Sequence, residues 1–258
     1  MVDEHEKLLR NECGYTGPYP YWDWTIDADA NSVSTSPVWD PVTGFGGNGD
    51  DADKCVKDGP YSDITLTIGT TNMFVNKNEP HCLTRDWTAS SGSSSPGDMG
   101  RTSYDSEMMR RIYSQSDYRN MHFALEGRPH NAVHNRVGGE MGPHWAPNDP
   151  IFYMHHANVD RVWAKWQGDN ATRLEDYSGY NDVRQTQSAS KDDVMPTLNL
   201  LDKEVRVRDY LNTKANGLCY EYSEYSADFS APSEPPSEPP AESPSKPPSG
   251  SCMFGIFC

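Results

Sequence analysis

The chain of 258 residues carries 38 acidic and 22 basic side chains, which give it a formal net charge of −16. This charge disfavours binding to nucleic acids and to anionic membranes. The sequence contains no run of about 18 apolar residues and begins with the charged segment MVDEHEKLLR, so neither a transmembrane span nor a signal peptide is predicted. The length suits one main domain with a tail. Oligomeric state and localisation are left open.

The first half of the chain predicts few regular elements separated by long loops. A helix over residues 4–12 leads into the segment YWDW, whose rings are expected to pack on the core. Residues 27–60 are rich in Asp, Gly, Ser and Asn, which is typical of loops. The alternating segment DITLTIG, residues 63–69, predicts a short strand. A Ser- and Gly-rich loop over 88–102 precedes a predicted helix over 103–118.

Two histidines four residues apart, His130 and His134, begin the most informative part of the sequence. On a helix they project from one face and are close enough to bind one ion. Pro129 precedes them, and its fixed φ and missing N–H suit the first turn of a helix rather than its interior. The sequence therefore predicts a helix that starts at this pair.

A second helix is predicted in the segment NDPIFYMHHANVDRVWAKWQ, residues 148–167. Asp149 is its expected N-cap and Pro150 its first residue. The apolar positions that follow recur at helical spacing, so one side of this helix is expected to be buried. It brings a third histidine, His156, to the first two.

His155 and His156 are neighbours and point about 100° apart on a helix, so one of them must be chosen as the ligand. Asp160 lies one turn after His156, where its carboxylate can accept the outer ring N–H of a ligand and fix the tautomer. This favours His156, with His155 and Asp160 in supporting positions. Imidazole ligands with an open position suit copper or catalytic zinc, and also iron or nickel, and spacing does not separate these metals. The predicted ligands are His130, His134 and His156.

The segments HNAVH, GGEMG and NDPIFYMHHANVDRVWAKWQ resemble the second copper motif of tyrosinases, catechol oxidases and molluscan-type haemocyanins. Other segments are similar to that family in the same order along the chain. RNECGYTGPYPYWDW resembles the segment after the first copper motif of fungal tyrosinases, and GPYSDITLTIG with PHCLTRDW resembles the region between the copper motifs. The segment YEY at 220–222 resembles the tyrosine pair that closes the catalytic domain. The similarity runs from about residue 4 to residue 222.

The resemblance implies a mainly α fold, a tyrosinase-like helical bundle around a copper site with long irregular loops and little strand. It implies a small phenolic substrate, O2 as co-substrate, and His130, His134 and His156 as ligands of the second copper. Asn131 matches a position linked in the family to activity on monophenols. Glu126 resembles the carboxylate that holds a water and assists phenol deprotonation. The alternatives are an ion pair of Glu126 with Arg128 and a purely local role for Asn131 at the helix start.

The family uses two coppers, and its first-copper histidines lie upstream of the YWDW segment, the last of them at a position just before Met1. His5 stands where the family carries an aromatic residue. His81, His122 and His144 have no partner at chelating spacing. We therefore expect one copper in this chain.

Three segments are predicted. Residues 1–229 resemble a partial tyrosinase copper-binding domain that lacks the N-terminal first-copper helices. Residues 230–251 form a Pro/Ser/Glu-rich linker, expected to be extended and disordered, and residues 252–258, CMFGIFC, form a short Cys-containing tail.

Three functions compete at this point. The first is a copper-dependent oxidoreductase of the tyrosinase family that oxidises phenols or catechols to o-quinones with O2, expected from a truncated or incomplete chain. The second is an inactive remnant that binds a single copper. The third is a zinc hydrolase with Glu126 as base, which leaves YWDW, PHCL and the tyrosine pair unexplained.

Overall fold

Helices make up most of the regular structure. The computed structural model describes residues 1–49, 52–69, 79–87, 99–182, 184–196 and 204–223. The α-helices are α1 (Val2–Cys13), α2 (Trp24–Asp29), α3 (Ser106–Tyr113), α4 (Tyr118–Leu125), α5 (Asn131–Val137) and α6 (Ile151–Gly168). Short 3-10 turns connect several of them. The mainly α prediction is confirmed.

Strand pairing in the described ranges consists of isolated bridges. The strand predicted over residues 63–69 does not form as a strand. Within this segment only Leu66 pairs, through two backbone hydrogen bonds of 2.7 and 2.9 Å with His81. The alternating pattern is a weak signal here because no neighbouring segment in the described part of the chain continues the ladder beyond this pair. The predicted linker at 230–251 and the tail at 252–258 lie outside the described residues, and so does most of the loop at 88–102.

α4 and α5 form one continuous helical rod, joined by a π-helical turn over Glu126–His130. The rod begins after the N-cap Asp117, whose carboxylate accepts from the backbone N–H of Asn120 at 2.9 Å. The prediction that the helix starts at the histidine pair was therefore wrong. Pro129 lies inside the π turn, where the register change accommodates a residue that has no N–H to donate.

α6 is the longest helix and carries two of the histidines. It begins at Ile151, one residue after the predicted start, and the Asp149 carboxylate accepts from the Ile151 N–H at 3.1 Å. Its inner face packs in the main core, where Trp166 is fully buried. The YWDW rings pack there as expected, with Trp22 and Trp24 both buried. No helix in the described residues is long and apolar enough to span a membrane.

A fully buried ion pair joins the start of α6 to two loops. Arg85 donates from Nε and Nη2 to the two carboxylate oxygens of Asp149, at 2.8 and 2.9 Å. Its remaining nitrogen, Nη1, donates to the carbonyls of Phe45, Gly46 and Gly47 at 2.6 to 3.1 Å. One side chain therefore closes the loop at 45–47 against α6.

The segment that contains Arg85 is itself anchored by a disulfide. Cys55 and Cys82 are bonded, and the bridge joins residues 27 positions apart in the sequence. Val56 N–H donates to the Leu83 carbonyl at 2.9 Å, and both side chains are buried in a small second core. The loops next to α6 therefore keep a defined path without a sheet.

Breaking the buried ion pair should be costly. Asp149→Ala leaves the Arg85 guanidinium buried without its carboxylate, so we expect the free energy of unfolding to fall by about 3–5 kcal/mol. Urea denaturation followed by tryptophan fluorescence measures this loss. The exposed pair of Lys57 and Asp53 provides the matched control, and Lys57→Met should stay close to wild type. Similar losses in both variants would contradict the structural role of the buried pair.

Candidate metal centre

Four histidines converge between the α4–α5 rod and α6. His130, His134, His155 and His156 each offer one nitrogen, and these atoms lie within 4.8 Å of one another. The three predicted ligands are thus brought together, and His155 joins them. Four imidazoles in this small volume are the donor set expected of a copper or zinc site.

His134 is held with a defined ring orientation. Its Nδ1 lies 2.6 Å from the Met141 carbonyl, an acceptor, so the proton of the neutral ring is on Nδ1. The lone pair on Nε2 then faces His156 Nε2 at 3.2 Å. Burial lowers the pKa of His134 to about 4, which keeps the ring neutral. A distance of 3.2 Å suits two nitrogens that bind one ion at about 2.0–2.1 Å each.

His130 ends the π turn and makes a similar contact. Its Nδ1 lies 3.1 Å from Asn131 Oδ1, so the amide oxygen can accept the ring proton and leave Nε2 for a metal. Burial lowers the pKa of His130 below its ordinary value. The structure thus gives Asn131 a contact with the first ligand, and its predicted part in monophenol chemistry stays a prediction.

His155 differs from the other three because of a tryptophan. Trp24 Nε1 donates to His155 Nδ1 at 3.2 Å, and an indole N–H can only donate. The proton of the neutral His155 ring therefore lies on Nε2, which has no free lone pair for a metal. Complete burial and the neighbouring histidines hold the pKa of His155 well below its ordinary value. Within the part of the chain that the structure describes, the buried Nε2 has no hydrogen-bond partner, and a contact with the His130 backbone counteracts the lowering of the pKa.

His156 is therefore the better ligand of the two neighbours on α6. Burial, together with His130 and His134, lowers its pKa to about 3. The ring of Phe152, one turn earlier, packs against it with centroids 4.2 Å apart. This choice agrees with the sequence-based prediction, although the deciding contact is the one between Trp24 and His155.

Asp160 has a different partner from the one predicted. Its carboxylate accepts from the hydroxyls of Tyr220 at 2.8 Å and Tyr222 at 2.5 Å. A bond from the His156 ring to Asp160 is absent from the hydrogen bonds of the described residues. The two tyrosine hydroxyls supply the donors that this buried carboxylate needs, so Asp160 anchors the YEY segment to α6.

Glu126 lies at the rim of the cluster. Its side chain is half exposed, with one carboxylate oxygen 3.6 Å from His122 Nε2. Its charge counteracts the lowering of the His130 pKa, so the two groups are close enough to interact. The role of Glu126 as a base stays a prediction.

The other histidines lie outside the cluster, as expected. His5 is half buried: its ring stacks on Tyr153 and its Nδ1 lies 2.6 Å from Tyr19 Oη. His122 stacks on the ring of Tyr118. His144 is exposed.

Two contacts that orient histidines of the cluster could not be found from sequence. The Met141 carbonyl that orients His134 is a backbone group, and the sequence carries no signal for it. Trp24 carries a signal, since YWDW stood out, but packing accounts for its aromatic character equally well. A contact between residues 24 and 155 requires the tertiary structure.

A cavity of about 790 Å³ opens beside His156. Apolar and aromatic side chains line much of it, among them Tyr19, Leu125 and Trp163. Such a lining suits an aromatic ligand of modest size.

The family model for the common central domain of tyrosinase matches residues 2–169. The chain belongs to the tyrosinase family. Tyrosinases use copper, phenolic substrates and O2. The four-histidine cluster, with three rings able to present a free nitrogen, is compatible with that metal.

Named relatives support the assignment. The "Tyrosinase-like protein phomQ1'" of Diaporthe leptostromiformis is 35% identical over 235 residues, covering 84% of this chain and 61% of that protein. The "Oxidase hkm6" of Aspergillus hancockii is 32% identical over 256 residues, covering 84% of this chain and 88% of that protein. A polyphenol oxidase variant from Thermothelomyces thermophila has a TM-score of 0.70 at 27% identity, covering 86% of this chain and 70% of its own. This chain therefore spans about 61% of the length of the first of these relatives.

The lowered pKa of His134 should make the stability of the metal-free protein depend on pH. An unfolded chain protonates this ring below about pH 6.5, whereas the folded chain keeps it neutral down to about pH 4. The unfolded state therefore binds more protons in this window, and this contribution to stability falls as the pH falls through it. Urea denaturation across the window should show wild type losing stability relative to His134→Gln. A difference that stays constant with pH would contradict the buried, neutral state of His134.

Proposed function

We propose that this chain forms the second-copper half of a copper-dependent oxidoreductase that oxidises phenols or catechols to o-quinones with O2. The observation that carries the proposal is the histidine cluster, in which contacts at Nδ1 leave the Nε2 atoms of His130 and His134 available beside His156 Nε2. Membership of the tyrosinase family supports copper as the metal. Copper, when bound, supplies one-electron redox chemistry and the affinity for O2.

The protein groups prepare the site in three ways. The carbonyl of Met141 and the amide of Asn131 hold the ring protons of two ligands on the side away from the metal. Burial keeps the ligand rings neutral, so no proton competes with the metal near neutral pH. Phe152, which is itself buried, packs against the ring of His156 and helps to fix its orientation.

The substrate is proposed to be a small phenol or catechol that enters through the cavity beside His156. In this scheme Glu126, at the rim next to His130, orients a water or accepts the phenol proton. Asn131 influences whether monophenols are accepted, through its contact with His130. Both assignments rest on the family resemblance together with the positions of the two side chains.

One copper per chain is the stoichiometry that we propose. Within the residues that the structure describes, the four histidines are the one group of three or more potential ligands whose ligand atoms lie together. The alternative of an inactive single-copper remnant differs from the leading proposal in activity rather than in metal content. A zinc hydrolase is the remote third possibility, since a three-histidine site also suits that metal.

Copper binding can be measured by titrating the metal-free protein with Cu(I) against a competing chelator. We expect about one copper per chain, loss of binding in His134→Ala because a ligand is removed, and a smaller loss in His155→Ala because that ring presents an N–H. His144→Ala, a substitution at an exposed histidine, is the control. A larger loss in His155→Ala than in His134→Ala, with both variants folded by circular dichroism, would reverse the ligand assignment.

Oxygen uptake with a catechol tests the proposed stoichiometry of one copper per chain. A single copper supplies one electron, whereas oxidation of a catechol to the quinone removes two, so we expect little or no uptake by this chain alone. Two coppers per chain with rapid uptake would contradict the stoichiometry proposed above. Preferential binding of zinc over copper with ester hydrolysis that depends on Glu126 would instead favour the hydrolase.

A further inference from the structure

The carbonyl that orients His134 belongs to a tight turn, Gly138 to Met141, directly after α5. Gly138 and Gly139 have φ values of +64° and +53°, in the region that favours glycine. A Cβ atom on Gly139 would lie 2.2 Å from the Thr84 carbonyl, so the turn approaches the 84–86 segment too closely for a side chain at this position. The position of the Met141 carbonyl therefore depends on how the turn is held against that segment.

Two backbone hydrogen bonds join the turn region to the 84–86 segment. Asp86 N–H donates to the Val137 carbonyl at 2.9 Å, and Glu140 N–H donates to the Thr84 carbonyl at 3.0 Å. The Cys55–Cys82 disulfide holds the chain two residues before this segment. Within the segment, the buried Arg85 is paired with Asp149.

The side chain of Glu140 adds further contacts between the 138–141 turn and the 84–86 segment. It is 4% exposed, although it carries a carboxylate. Thr84 Oγ1 donates to Oε1 at 3.2 Å, Asn148 Nδ2 donates to Oε2 at 2.9 Å, and His81 Nε2 lies 3.3 Å from Oε1. Burial raises the pKa of the Glu140 carboxyl, and the Asn148, His81 and Thr84 contacts counteract that rise. A buried carboxylate that accepts hydrogen bonds on both oxygens holds the segments that it joins rigidly together.

We propose that Glu140 is a positioning residue for the metal centre: it holds the 138–141 turn so that the Met141 carbonyl accepts the Nδ1–H of His134 and Nε2 stays free to bind copper. The proposal rests on the proposed function for its link to copper. The link to the ring tautomer stands on geometry alone. Glu140 lies outside the histidine cluster, and it acts on His134 through the position of the Met141 carbonyl.

The chemistry of the cluster explains why a carboxylate occupies this position. An ionised carboxylate only accepts, and its two oxygens can receive several hydrogen bonds at once. Glutamine has one oxygen, so it can accept from only one side and loses one of the two acceptor atoms that bind Thr84 and Asn148. Leucine would remove the acceptor of Thr84 Oγ1 and one of the two acceptors of Asn148 Nδ2, and the turn would lose its anchor.

The test compares Glu140→Leu with Gln167→Leu. Gln167 is also a buried polar residue, 6% exposed, and its Nε2 donates to the Leu211 carbonyl at 3.1 Å, in a part of the molecule outside the 138–141 turn. Each substitution removes buried hydrogen bonds, so the control accounts for a general loss of stability. Long-range ¹H–¹⁵N spectra of the metal-free proteins report the tautomer of His134, and chelator competition reports the affinity for Cu(I).

We expect His134 to be the Nδ1–H tautomer in wild type and in Gln167→Leu, and a mixture of both tautomers in Glu140→Leu. Outer contacts of metal ligands typically contribute 10–100-fold in affinity, so Cu(I) should bind about 10–100-fold more weakly to Glu140→Leu than to the control. Glu140→Gln, which keeps the shape and one acceptor, should fall between wild type and Glu140→Leu.

An unchanged His134 tautomer in Glu140→Leu, with Cu(I) affinity equal to that of Gln167→Leu, would overturn the proposal. If Glu140→Leu does not fold, Glu140→Gln decides the question, and wild-type behaviour in both measurements overturns it. Failure of the wild-type protein to bind Cu(I) would contradict the proposed function instead. The tautomer in the metal-free proteins would still show whether Glu140 positions His134.

Discussion

The buried ion pair of Arg85 and Asp149 is the constraint on which the arrangement of the site depends. Neither charge has access to water, so each must keep the other as its partner. Asp149 lies two residues before α6 and accepts from its first N–H, and Arg85 closes the loop at 45–47. The pair therefore fixes the segment next to Arg85 relative to the helix that carries His155 and His156. The 138–141 turn then packs against that segment. Because the ion pair anchors both α6 and the segment against which the turn packs, the ligands from two helices meet with defined ring orientations.

The metal centre is defined as much by the positions of protons as by the positions of nitrogens. A neutral imidazole has one N–H and one lone pair, and the group that contacts one nitrogen decides what the other can do. A carbonyl at His134 Nδ1 makes Nε2 a ligand, whereas an indole N–H at His155 Nδ1 makes Nε2 a donor. Two neighbouring residues of the same type on α6 therefore have different roles. Their surroundings, rather than their spacing, assign those roles.

The sequence predicted the helical class, the α6 segment and the three converging histidines, because these depend on local signals. An HxxxH spacing, an N-cap and apolar residues at helical spacing each act within a few residues. The predictions were wrong where the surrounding structure, rather than the neighbouring residues, decided the outcome. Pro129 indicated a helix start, yet a π turn carries the helix through it. Asp160 had the right spacing for a ligand partner, yet the hydroxyls of Tyr220 and Tyr222 occupy its carboxylate.

By itself, the sequence determined which residues are able to bind a metal, which helices carry them and which family the chain resembles. Only the tertiary structure decided which nitrogen is free on His130, His134 and His155, that Trp24 makes His155 a donor rather than a ligand, and that Glu140 contacts the segments beside the turn. These features depend on contacts between residues far apart in the chain, and several involve backbone carbonyls, which every residue has. A sequence specifies side chains in order, whereas the direction of a ring proton is set by whatever group the fold places 3 Å away.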